Sequence, residues 1–247
     1  MLKIATYNIH KGYSQFNRRF VLHELRDRLR ELNADIVFLQ EVQGAERRVR
    51  PRHHVEGAHP QHEFLAQEGW LHHAYGKNSV YGSGHHGNAI LSRYPILKWD
   101  NQDISAHRFE SRGVLHCEMA IPDSNLVLHS LCVHLGLFSK GQTQQMKELV
   151  ERVQREVPAD SPLIIAGDFN DWRNQAGLLL AKELNLHEAF EVNTGKLARS
   201  FPCALPLLRM DRIYLRGLSV QQAEVHAYRP WSKISDHAAL SATLLFP

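Results

Sequence analysis

Cysteine is scarce: Cys117, Cys132 and Cys203 are the three in the chain, odd in number and without paired spacing. That excludes a disulfide framework and fits free thiols in a reducing compartment. Neither C-x-x-C nor H-E-x-x-H occurs, so the standard zinc signatures are missing. No stretch approaches the ~18 consecutive apolar residues of a membrane span, and residues 1–9 lack the apolar stretch of a signal peptide. A cytoplasmic protein is expected. Neither sign of charge dominates: 29 Lys and Arg stand against 26 Asp and Glu, a net charge of +3. Such a balance does not by itself demand an anionic partner. No fixed-period repeat or low-complexity tract is present.

What is there suffices for a sizeable core: 247 residues, 43% of them hydrophobic and 22% charged, read as one domain over residues 1–247. Histidine is abundant, with 17 residues, which makes any one histidine weak evidence for a ligand. The doublets at His53, His72 and His85 are expected on loops and surface. Arg47, Arg48, Arg50, Arg52, His53 and His54 crowd into a segment with Pro51 and Gly57, a basic loop that either tracks phosphates or is a solvated surface. Gly82-Ser83-Gly84-His85-His86-Gly87 matches G-x-G-x-x-G, but a strand, Asn88 to Ser92, follows where a dinucleotide site needs a helix. A flexible loop is expected there instead.

Three apolar runs, residues 2–7, 35–39 and 163–166, end near Asn8, Glu41 and Asp168. Each is read as a strand that delivers a metal-capable side chain at its exit. Between the first two, Leu22, Leu25, Leu29 and Leu32 recur at helical spacing, predicting a helix over about 18–33. A second helix is predicted over 141–157, with Met146, Leu149, Val150 and Val153 on one face and Pro158 as the stop. Residues 113–121 and 125–134 read as a hairpin joined through Pro122, Asp123, Ser124 and Asn125. Further strands are expected over 211–215, 220–228 and 238–246. The pattern predicts mixed sheets packed face to face with helices outside.

The sharpest local feature is the strand that ends in Gly167-Asp168-Phe169-Asn170-Asp171, a dense polar cluster. Turn chemistry accounts for one such cluster, yet Asn8, Glu41 and Ser235-Asp236-His237 repeat the theme at other strand boundaries. Hard divalent ions want oxygen ligands in this style. The ordered set Thr6-Tyr7-Asn8-Ile9, Leu39-Gln40-Glu41-Val42, Val133-His134-Leu135, Gly167-Asp168-Phe169-Asn170, Arg209-Met210-Asp211-Arg212-Ile213-Tyr214 and Ser235-Asp236-His237 resembles the endonuclease/exonuclease/phosphatase superfamily, with its deoxyribonuclease I-like fold. Six short motifs in the expected order span residues 4–237.

The resemblance implies an α/β fold, a four-layered α/β/β/α sandwich of two mixed β-sheets flanked by helices. It implies Mg2+ as cofactor, with Mn2+ as substitute, held by Asn8 and Glu41 with Asp236 close by. Asp168 would orient or deprotonate the attacking water, Asn170 would steady the phosphate or a second ion, and His237 backed by Asp211 would face the scissile phosphate. His134 would donate to the phosphate or leaving group, and Arg112 would contact phosphate. Two departures matter. Position 134 is histidine where the abasic-site endonucleases of the family carry tyrosine, which turns the reading away from abasic-site repair. Ala239 stands where many relatives carry proline.

Three function classes follow. A nuclease is supported by the basic segment and by Arg18 and Arg19. A phosphodiesterase or phosphatase for phospholipid head groups or inositol phosphates is supported by His134 and by the apolar segment from Phe201 to Leu208. A noncatalytic phosphate- or nucleic-acid-binding module is disfavoured by the intact residue set.

Overall fold

The computed structural model describes residues 1–15, 18–44, 60–82, 84–107, 110–122, 124 and 126–246. The basic segment at 47–54, together with His53 and His54, lies outside the described residues, as do Asp123 and Asn125.

Among the described residues, twelve strands form two six-stranded sheets. The first contains β1 (Leu2–Asn8), β2 (Ile36–Gln43), β3 (His72–Tyr81), β4 (Gly84–Ser92), β11 (Ser219–His226) and β12 (Ala239–Leu245) in the order β11-β12-β1-β2-β4-β3. The second contains β5 (Ile96–Asp103), β6 (Gly113–Ala120), β7 (Val127–His134), β8 (Leu163–Asp168), β9 (His187–Glu188) and β10 (Asp211–Arg216) in the order β5-β6-β7-β8-β10-β9. Each sheet has one parallel pair at its centre, β1 with β2 and β7 with β8, and antiparallel neighbours around it. The helices are α1 (Leu22–Leu32), α2 (Gln61–Ala66), α3 (Ser139–Glu156), α4 (Gln175–Leu184) and α5 (Ala189–Thr194).

Strand periodicity sorts the side chains into three apolar layers. Successive strand residues point to opposite faces, so Leu2, Ile4, Ile36 and Phe38 meet Leu115, Cys132, Ile164, Ala166, Ile213 and Leu215 in a core between the sheets. Ala5, Tyr7, Val37 and Leu39 point the other way and pack under Leu22, Leu25 and Leu29 of α1. On the far side, Leu131, Val133, Leu163 and Ile165 pack under Met146, Leu149 and Val153 of α3. Both sheets are buried on both faces at their centres, which is why residues 163–166 form an unbroken apolar run instead of alternating with polar residues.

The expected four-layered sandwich is the observed one, and the differences are local. Helix α1 starts at Leu22 instead of Arg18, because Ser14 N and Arg19 O bond at 2.8 Å and Val21 N reaches Gly12 O at 2.9 Å. Those bonds hold residues 18–21 in a loop closed on the preceding turn. The glycine-histidine segment is not a flexible loop beyond Gly82: Gly84, His85 and His86 belong to β4 and pair with Tyr81, Val80 and Ser79. Gly87 is required in that ladder, since a Cβ there would lie 1.9 Å from Gly76 O. The His72 doublet likewise opens β3. Glycine and histidine are weak strand formers, and here the neighbouring strand supplies the pairing that local propensity does not.

Candidate active site

Strand parity carries polar side chains to one end of the layer between the sheets. Beyond the apolar pair Leu2 and Ile4, the same face of β1 continues to Thr6 and Asn8; beyond Ile164 and Ala166, that of β8 reaches Asp168; beyond Cys132, that of β7 reaches His134. Register aligns them: His134 pairs with Asp168 on one side, and Asp211, the first residue of β10, pairs with Asp168 on the other. The ends of β1, β7 and β8 and the start of β10 therefore deliver Asn8, His134, Asp168 and Asp211 to one place.

Three of these groups and His237 meet at one oxygen. Asp168 Oδ2 accepts a hydrogen bond from Asn8 Nδ2 at 3.1 Å and lies 3.6 Å from His134 Nε2 and 3.7 Å from His237 Nε2. Its Oδ1 accepts from Asn170 N at 2.9 Å, while the Asn170 amide donates to Leu135 O at 2.9 Å. His237 Nδ1 bonds Asp211 Oδ2 at 2.9 Å, and the Phe201 ring lies against the imidazole at 5.0 Å. Ser235 ties the segment together, its hydroxyl donating to Asn8 O at 2.8 Å and accepting from His237 N at 3.2 Å.

Backbone strain sits where these groups are aimed. Asn170 has φ +50°, and Glu41 has φ +56°; such conformations are uncommon for residues other than glycine and persist where the surroundings enforce them. Glu41 does not end its strand as expected. It occupies a bulge in β2, where the register moves from Leu39 opposite Ala89 to Val42 opposite Gly87. The extra residue rotates the carboxylate out of the alternation, into a recess shared with His86, Asn88, Arg112 and His134.

Burial and neighbouring charge set the protonation states. Burial pushes the Asp168 carboxyl up to about 6, against the opposing pull of His237 and the hydrogen bonds from Asn170 and Asn8, with Asp211 adding to the rise. Burial alone would lower His237, but Asp211 and Asp168 outweigh it and lift the imidazole to about 10. His134 goes the other way: burial, reinforced by Arg112 and His237, drives it well below the ordinary histidine value. At neutral pH the site holds an imidazolium at 237, a neutral imidazole at 134 and a buried carboxylate between them. Asp211 Oδ1 is buried with no hydrogen-bond partner.

Asp236 opens the turn before β12, with its carbonyl bonded to Cys203 N at 2.6 Å. Arg112 precedes β6, with its guanidinium 4.0 Å from Glu110. Lys11 approaches Glu41 at 4.0 Å, and Arg19 is paired with Glu24 at 2.9 Å. His86 and Asn88 join the recess without belonging to any of the ordered motifs. Their signal was parity: Ile90, Asn88 and His86 lie on one face of β4, and the Asn88 amide crosses to Gly113 O at 3.0 Å and Cys132 O at 3.2 Å in the opposite sheet.

A two-sheet sandwich closed at one end by this cluster defines a class. Residues 5–237 match the endonuclease/exonuclease/phosphatase family, and the chain belongs to that family of phosphoester hydrolases. It is 47% identical to the protein called YbhP of Escherichia coli K12, over 98% of this chain and 95% of that one. Its fold is similar to that of an endonuclease/exonuclease/phosphatase from Beutenbergia cavernae DSM 12333, with TM-score 0.83 and 19% identity over 99% of this chain and 71% of that one. It is also similar to a mannosyl-6-phosphatase of Bacteroides thetaiotaomicron VPI-5482, with TM-score 0.72 and 15% identity over 100% of both chains. A humanized TDP2 of D. rerio gives TM-score 0.69 and 19% identity over 99% of this chain and 98% of that one.

Proposed function

We propose that this chain is a Mg2+-dependent hydrolase of phosphodiesters, acting as one domain over residues 1–247. The observation that carries the proposal is the convergence on Asp168 Oδ2 of the Asn8 amide at 3.1 Å and the two imidazoles at 3.6 and 3.7 Å. A carboxylate raised to about 6 is a stronger base than an ordinary one and is still ionised at neutral pH. Its neighbours supply a cation and a neutral imidazole.

The donor set fits a hard divalent ion. Asn8, Glu41 and Asp236 offer oxygen ligands, Glu41 is turned by its strained backbone into a recess, and all three cysteines are buried. These three residues would hold the metal, which when bound polarises a nonbridging phosphate oxygen and stabilises the developing charge. The remaining work falls to the protein. Asp168 accepts the proton of the attacking water, and Asn8 fixes the carboxylate for that task. His237, kept protonated by Asp211, places positive charge against the phosphate. Asn170 is anchored by the hydrogen bond its side-chain amide donates to Leu135 O, which sets the backbone that steadies Asp168 and the phosphate. His134, beside Asp168, and Arg112, which lines the same recess as Glu41, donate to phosphate or leaving-group oxygens. Buried free thiols support a cytoplasmic setting.

The test is hydrolysis of bis-nitrophenyl phosphate by the purified chain. Activity should vanish in excess chelator, return with Mg2+ and return with Mn2+ as substitute. Full turnover in chelator, or none with either metal, would overturn the proposal.

A further inference from the structure

Six large apolar side chains, Leu137, Phe138, Trp172, Leu205, Leu207 and Tyr228, are each 55% to 74% exposed. All belong to connections that leave the sheets at the end where the site lies. Leu137 and Phe138 follow β7, Trp172 follows β8, Leu205 and Leu207 precede β10, and Tyr228 follows β11, whose end pairs with the start of β12. They flank the site from two sides. Gln142 Nε2 bonds Gly136 O at 2.7 Å and Asn170 O at 2.9 Å, tying the first two connections together. Cys203 N bonds Asp236 O at 2.6 Å, and Tyr228 N bonds Cys203 O at 3.0 Å, tying the other two beside His237.

Exposed charge on the same connections has one sign. Residues 135–145, 169–175, 198–210 and 227–235 contain Lys140, Arg173, Arg199, Arg209, Arg229 and Lys233. Their acidic residue is Asp171, and it is buried; Asp236, which follows on the last connection, is half-buried. An apolar rim with interspersed cations and no exposed carboxylate is complementary to an anionic bilayer: leucine and phenylalanine enter the acyl boundary, tryptophan and tyrosine sit at head-group level, and lysine and arginine meet lipid phosphates.

Resting on the phosphodiesterase reading of the site, we propose that this rim docks on an anionic lipid surface and that the substrate is a phosphodiester lipid presented there. Position selects the occupant. A second copy or a protein partner seated on a rim around the entrance would cover it, whereas a membrane that carries the substrate delivers the phosphate to Asp168. A nucleic acid would use Phe138, Trp172 and Tyr228 as stacking faces and leave Leu137, Leu205 and Leu207 in water, whereas a bilayer covers all six. In the reaction a water oxygen bonds to phosphorus, one P–O ester bond breaks, and the proton taken by Asp168 goes to the departing alkoxide. A phosphomonoester and an alcohol result.

The experiment is sedimentation of the full chain with vesicles of phosphatidylcholine, alone or with phosphatidylglycerol added. Binding should require phosphatidylglycerol and weaken with salt. Phe138→Ser and Leu207→Ser should each lower the partition by roughly tenfold and leave hydrolysis of soluble bis-nitrophenyl phosphate unchanged. Leu71→Ser, more exposed than either but at the opposite end of the sheet, should have no effect. Failure to bind anionic vesicles, equal loss in all three variants, or binding of a single-stranded oligonucleotide in place of vesicles overturns the proposal. Rim-dependent vesicle binding without hydrolysis of any phosphoester in Mg2+ would instead overturn the activity and leave the docking surface standing.

Discussion

Asp168 and His237 work as opposites forced on each other by burial. The carboxyl is raised to about 6 and the imidazole to about 10, so base and cation coexist between those values. The signs follow directly: a base is lost as pH falls through about 6, and an imidazolium is lost as pH rises through about 10. Activity should therefore form a broad bell with those limbs. Asp211→Asn removes the charge that holds His237 up, so the alkaline limb should move toward neutrality and turnover should fall by ~10²-fold or more. His237→Ala should cost at least as much, and the double variant should lose far less than the product of the two, since both act as one unit. Independent losses, or an unmoved alkaline limb, would show that Asp211 does not govern His237. Gly167 presents a steric case beside them. Its φ of +151° and the Val133 carbonyl 2.0 Å from a built Cβ leave no room for a side chain. Gly167→Ala should cost on the order of 3 kcal/mol in urea unfolding and displace Asp168 with it; wild-type stability in that variant would refute the close approach.

Helix α3 shows how an element is fastened to its sheet by more than its apolar face. Arg152 is buried and bonds Gln102 Oε1 at 3.0 Å, Glu156 Oε2 at 3.0 Å and Asp100. His116 lies within 3.5 Å of the guanidinium and 3.0 Å of His129. Asp100, His116 and Glu156 are close enough to hold a metal, but the guanidinium already supplies the cation. Burial, helped by Arg152 and His129, lowers His116 to about 4. Because the unfolded chain binds that proton near 6.5, folding stability should decline as pH falls from 6.5 toward 4, by an amount on the order of 3 kcal/mol. Arg152→Met should cost about 1–3 kcal/mol at neutral pH and make that decline shallower, as urea titrations at several pH values would reveal; an unchanged slope would separate His116 from Arg152. The sequence showed α3 by its apolar period but carried no sign of this network, because its members are far apart in the chain and meet through strand register. The same distinction runs through the site. Asn8, Asp168 and Asp211 were legible because each adjoins an apolar strand run. Glu41 was legible as a residue but not as a bulge, and His86 was hidden by the glycines around it.

The sandwich divides the site between its halves. Asn8, Glu41 and Asp236, the proposed metal ligands, all belong to the first sheet or its connections, whereas His134, Asp168, Asn170 and Asp211 belong to the second. His237 crosses from one to the other to reach Asp211, and Asn8 crosses to Asp168. The core between the sheets thus fixes how the proposed ion-binding half faces the proposed proton-accepting half, and a shift of one sheet on the other would break both crossings at once. If Mg2+ binds the first half in the native state alone, it must stabilise the fold in proportion to its concentration. At about 100 times its dissociation constant the gain is ~2.7 kcal/mol, which for a chain of this size raises the melting temperature by on the order of 5–10 °C. Glu41→Gln keeps the shape and removes a charged ligand, so the rise should shrink and the metal needed for half-maximal turnover should increase, while the metal-free melting temperature stays near that of the wild type. A thermal shift identical in Glu41→Gln and wild type across the Mg2+ titration would remove Glu41 from the ligand set, whatever happened to turnover.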